Sequence, residues 1–265
     1  MRSSRTKGSY WRAKQIYEYC EHSTLHECLE SFSLVDVYTY IKVLCDSLHV
    51  LHAFKILHRD IKPSNFLYNM QTRKGLVIDL GLCELEPEIR STYIYKIPDK
   101  RFYIDKILDL QQRIGKNKFG TEGYMPLETM LMYDAQSDKI DVWAVGVVFL
   151  QLVLKKQFVF NNMNLFMYNK DQNRIQKMDN PLAQFVLQLA NLYNPLEIKS
   201  TCNQMGYFVS VPTNMTGEFD LLKEYIAYKD LDDAVWALIK RCLALKARDR
   251  PSVNEVSKVL KRYVS

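Results

Sequence analysis

Leu34, Val37, Ile41, Leu44, Leu48 and Leu51 recur at steps of three and four, which places them on one side of a helix ending near Phe54. Ser33-Leu34-Val35-Asp36 opens that helix as a capping box, hydroxyl and carboxylate each satisfying a backbone N–H of the first turn. From Asp138 to Leu154 the chain is apolar nearly all round at helical spacing, so a second helix is expected to be buried on every side. Short apolar runs at 66–68 and 76–78 read as two strands of a hairpin turning through Asn69 to Gly75, and residues 15–19 alternate as another short strand. Residues 155–230 are polar with helical patches at 181–193 and 217–228, and 231–262 read as two closing helices. Together these predict an α+β chain, mainly helical, without repeats or low-complexity segments.

Composition agrees with a globular chain. The 265 residues are 48% hydrophobic and 25% charged, enough for a substantial core. No apolar run reaches the roughly 18–20 residues that a membrane helix needs. Six cysteines are scattered without paired or CxxC spacing and read as reduced thiols, so the sequon Asn214-Met215-Thr216 carries no weight. The net charge of +6 is uneven: residues 1–17 hold Arg2, Arg5, Lys7, Arg12 and Lys14 and no acid. Without an apolar stripe this start reads as a solvated basic arm rather than a transit peptide or a nucleic-acid domain, and no direct nucleic-acid contact is expected.

The chemistry concentrates in His58-Arg59-Asp60-Ile61-Lys62-Pro63-Ser64-Asn65, followed after the hairpin by Asp79-Leu80-Gly81. A carboxylate, a lysine and an amide stand within six positions, and the hairpin is expected to return a second carboxylate beside them. Gly81 is expected to let the chain swing away after Asp79. The order and strand context resemble the catalytic loop and metal-binding turn of protein kinases, with Leu80 where that family usually has Phe. By this resemblance Asp60 is the catalytic base, Lys62 reaches the γ-phosphate of ATP, and Asn65 and Asp79 bind nucleotide through Mg²⁺. His49 and His52, beside the first helix's stripe, read as packing or surface residues rather than metal ligands.

The resemblance extends further. Gly120-Thr121-Glu122-Gly123-Tyr124-Met125-Pro126-Leu127-Glu128 is similar to the segment that ends a kinase activation loop, and Glu128 is expected to pair with Arg250 in Arg248-Asp249-Arg250-Pro251. Asp141-Val142-Trp143 resembles a helix whose aspartate bonds the catalytic-loop backbone. Residues 82–119 then form a long activation-segment insert in which Ser91, Thr92 and Tyr93 are candidate phosphorylation sites, with Arg59 a candidate phosphate partner. Residues 1–20 correspond to an N-lobe remnant and hinge, with Glu18 and Cys20 as adenine contacts, and 21–265 to a complete C-lobe.

The kinases most similar in these motifs are the cell division control protein seven family. That resemblance implies serine/threonine transfer to protein substrates in replication initiation, an activating regulatory subunit and a nuclear address. A glycine-rich loop and an ATP-anchoring strand lysine are not found ahead of the presumed hinge, where the only glycine is Gly8. Three readings follow: a start codon lying further upstream, a lobe truly absent, or completion of the ATP site by another chain. The second makes the chain a silent module that binds a partner or substrate. The intact catalytic set favours an enzyme.

Overall fold

In the computed structural model the described residues are 22, 25, 29–86, 120–121, 123–130, 137–156, 189, 192–205 and 218–264. Glu18, Cys20, Ser91, Thr92 and Tyr93 lie outside them, as do the strand at 15–19 and most of the patch at 181–193.

The first helix, α1 (Leu34–Ala53), starts where the sequence places it. Ser33 Oγ accepts from the Asp36 N–H (3.2 Å) and the Asp36 carboxylate accepts from the Ser33 N–H (3.0 Å). Its buried side is wider than the aliphatic stripe, because Tyr38 and Tyr40 also turn inward. Tyr40 meets the rings of Phe66 and Tyr68, each with centroids 5.0 Å away, in edge-to-face geometries that add to simple burial. These rings seat the hairpin of β2 (Phe66–Asn69) and β3 (Lys74–Val77) on α1.

The hairpin is antiparallel, with Phe66 opposite Val77 and Leu67 opposite Leu76. Its loop is shorter than expected. Asn69 Oδ1 accepts from the Thr72 N–H (2.7 Å) and hydroxyl (2.9 Å), closing a tight turn that Arg73 leaves in a left-handed conformation, φ 53°. A second two-stranded sheet joins β1 (Ile56–Leu57) to β4 (Glu84–Leu85), with Leu57 opposite Glu84.

After the four-residue helix α2 (Leu127–Met130) comes α3 (Lys139–Leu154), buried at every position from Ile140 onward, as its all-round apolarity predicts. Gly146 lets it approach α5 (Asp233–Cys242): a Cβ there would stand 2.8 Å from Cys242 Cβ. Between them in sequence, α4 (Pro195–Gln204) falls in the stretch read only as polar. Asn194 caps it, with Pro195 in its first turn, and it buries only Pro195, Ile198, Thr201 and Cys202. The patch at 217–228 is a 3₁₀ run, Phe219–Tyr225. The last helix, α6 (Val253–Leu260), repeats the capping-box start with Ser252 and Glu255 and packs along α1.

Candidate active site

The loop after β1 is held from below by a buried carboxylate. Asp141, in the first turn of α3, accepts from the His58 N–H and the Arg59 N–H, each at 2.8 Å, and meets His52 Nε2 at 2.9 Å. Three polar partners satisfy a carboxylate only 1% exposed, where unmet hydrogen-bonding capacity would be costly. The Asp141 contact is the one the sequence predicts. Of the two histidines read as packing or surface residues, His52 packs here as part of the support, while His49 faces solvent.

Arg59 adopts the left-handed region, φ 68°, rare for a side chain of its size. The chain around it over-determines this conformation. Its N–H is bound by Asp141, and its carbonyl abuts Gly120 (φ 99°), where a Cβ would lie 2.7 Å from the oxygen. Its guanidinium donates to the Leu82 carbonyl (2.6 Å) and pairs with Glu84.

Asp60 follows directly. One carboxylate oxygen accepts from the Thr121 hydroxyl (2.7 Å), and the other from the Asn65 amide (3.0 Å) and the Lys62 ammonium (2.9 Å). Lys62 also donates to the Thr121 oxygen (2.7 Å), and the Asn65 amide reaches back to the Asp60 carbonyl (2.8 Å). Burial raises the Asp60 pKa. The bonds from Lys62 and Thr121, the Lys62 charge and the Asn65 amide outweigh it, holding the carboxyl below its usual range.

A folded pKa below the unfolded value of about 3.9 means that the ionised network adds stability above about pH 4 and loses it as pH falls through the folded pKa. In urea unfolding, the stability of the wild type relative to Asp60→Asn is therefore expected to fall between about pH 6 and about pH 3. A difference that stays constant over that interval would mean that Asp60 gains nothing from its partners.

The hairpin returns Asp79 beside Asn65, because the Ile78 N–H donates to the Asn65 carbonyl (2.9 Å) and His58 Nε2 lies 3.0 Å from the Ile78 oxygen. The sharp change of direction belongs to Asp79 itself, φ 62°, rather than to Gly81. An aspartate tolerates this backbone better than most residues, and its side chain accepts weakly from the Gly81 N–H at 3.4 Å. Asp79 is exposed, and among the described residues the Asn65 side-chain oxygen accepts no hydrogen bond. Asn65 and Asp79 each carry a hard oxygen, the donor type that fits Mg²⁺, which takes one or two protein oxygens and completes its shell with phosphate and water. Among the described residues no group of three or more His, Cys, Asp or Glu is placed to hold a metal alone.

Sequence reasoning passed over two further features. Leu67 and Leu76 pair across the hairpin on the face away from the core, with Leu76 49% exposed, and form an apolar ledge two residues beyond Asn65. Glu84 closes the Arg59 pair, and its only local signal is an acid next to an apolar residue past the turn.

Below the site, Arg250 and Glu128 form the expected pair. The guanidinium grips both carboxylate oxygens, the Nη2 bond measuring 3.0 Å, and donates to the carbonyls of Lys139 (3.0 Å), Ala244 (2.8 Å) and Leu245 (3.1 Å). It also lies 5.0 Å from the Trp143 ring.

Residues 5–260 match the family model described as protein kinase domain. Among similar proteins is the cell cycle serine/threonine-protein kinase hsk1 of Schizosaccharomyces pombe, 29% identical over 161 residues, 56% of this chain and 32% of the relative. A probable cell division control protein 7 homolog of Encephalitozoon cuniculi is 28% identical over 159 residues, 55% of this chain and 45% of the relative. The human cell division cycle 7-related protein kinase is 42% identical over 66 residues, 25% of this chain and 12% of the relative. The chain spans less than half the length of each of these relatives.

Proposed function

The chain belongs to the protein kinase domain family, and we propose from that premise that it transfers the γ-phosphate of ATP to serine or threonine hydroxyls of proteins. The observation that carries this reading is the bonding of Asp60. A carboxylate has about four lone-pair sites. Thr121 takes one on the first oxygen, and Asn65 and Lys62 take both on the second. One site on the first oxygen stays open, on a group held ionised, and it can accept the acceptor hydroxyl's proton and aim its oxygen.

Lys62, already fixed by Asp60 and Thr121, sets a positive charge beside that position, where negative charge gathers on the transferring group. Asn65 and Asp79 are the residues that would hold Mg²⁺, whose chemistry when bound is to neutralise phosphate oxygens. The Leu67–Leu76 ledge suits the flat face of a nucleotide base. Protein substrates in cell-cycle and replication control, an activating regulatory subunit and a nuclear address complete the proposal. They rest on the likeness to cell division control kinases.

The test is Asp79→Asn. Manganese binding followed by electron paramagnetic resonance should weaken, and transfer should fall by roughly 10²–10³-fold, the usual cost of removing one charge-stabilising contact. Transfer that persists in this variant would overturn the assignment. A wild-type chain that binds partners but takes up neither metal nor nucleotide would turn the reading to a silent binding module.

A further inference from the structure

The Arg59 guanidinium is buried, its side chain 5% exposed. A buried cation requires an anion, and Glu84, itself 20% exposed, supplies it from β4. The pair does more than neutralise. Arg59 is the residue before Asp60, and its left-handed backbone sets the direction in which Asp60 leaves the loop. Through Leu82 and Glu84 its side chain is fastened to the segment that follows Asp79. The β1–β4 pairing, Leu57 opposite Glu84, brings donor and acceptor within reach of each other.

We propose that Glu84 is a positioning residue that locks the loop carrying Asp60 to the turn carrying Asp79, and that this built-in anion makes the lock independent of any phosphate added to the chain. An added phosphate orders a kinase segment by pairing with arginine. At Arg59 that position is already filled from within. The catalytic side of this inference rests on the phosphoryl-transfer reading, whereas its structural side does not.

Hydrogen exchange by mass spectrometry, on the full chain, separates the two. Glu84→Gln should speed exchange in peptides covering 56–62 and 78–86 by roughly tenfold or more while α3 stays protected, because only a local opening is made easier. Glu84→Asp, which keeps the charge, should restore most of the protection. Where transfer is measured, Glu84→Gln should lower kcat more than it raises the KM for ATP. Phosphatase-treated wild type should exchange as the untreated protein does. Unchanged loop exchange in Glu84→Gln, or a loop released by phosphatase alone, would overturn the proposal. An inert wild type would count against the phosphoryl-transfer reading, and the exchange result would still decide the lock.

Discussion

Asp60→Asn is expected to cut phosphoryl transfer by roughly 10²–10⁴-fold, the range a positioned general base contributes, and to leave the protein folded. The amide is close to isosteric with the carboxylate, so the cavity it fills does not change. What changes is the number of acceptor sites and the charge. The oxygen facing Lys62 and Asn65 now meets two donors, and an NH₂ placed there would be a third. The amide must therefore turn its oxygen toward them and offer its nitrogen where the open lone pair had been. A donor in that position cannot accept a proton from a hydroxyl. Initial rates on a protein substrate, with thermal unfolding in parallel, decide the matter. A rate within about threefold of wild type would remove Asp60 from the chemistry, since a base contributes far more than that.

The largest expected loss of stability lies elsewhere. Glu128→Gln should cost about 3–5 kcal/mol, because it strips the anion from a guanidinium buried beside it. A guanidinium has five N–H donors, and all of Arg250's are directed at Glu128 or at backbone carbonyls, so the side chain cannot swing out to water without abandoning several bonds. Replacing both partners by apolar residues of similar volume, Glu128→Leu with Arg250→Met, should recover part of the loss, since neither charge then needs a partner. Urea unfolding of the three variants forms the test. A single-variant cost under about 1 kcal/mol would place the pair among weak surface bridges.

Much of this arrangement is visible in the sequence because it is local. The stripe of α1, the all-round apolarity of α3 and the capping box at Ser33 are periodic or short-range signals, and α1 starts where its residues say. The Asp60–Asn65 spacing likewise sets both side chains on one tight loop. The misses share a different character. His52 meets Asp141 across 89 positions of sequence, and Arg59 meets Glu84 across 25, so no window of the chain contains both partners. α4 buries too few apolar side chains to show a period. Asp79, not Gly81, takes the left-handed turn because a short polar side chain can also bear that backbone, which makes glycine a poor sole guide.

Asp141 and Trp143 stand two residues apart on α3. One carries the loop that holds Asp60, and the other lies against the guanidinium that ties Glu128 to the segment before α6. Reactive geometry and structural integrity therefore hang from the same turn of one helix. Variation at this one turn bears on both the clasp and the floor beneath Asp60. Tolerance to change must then be sought away from this turn, where a residue serves only one master.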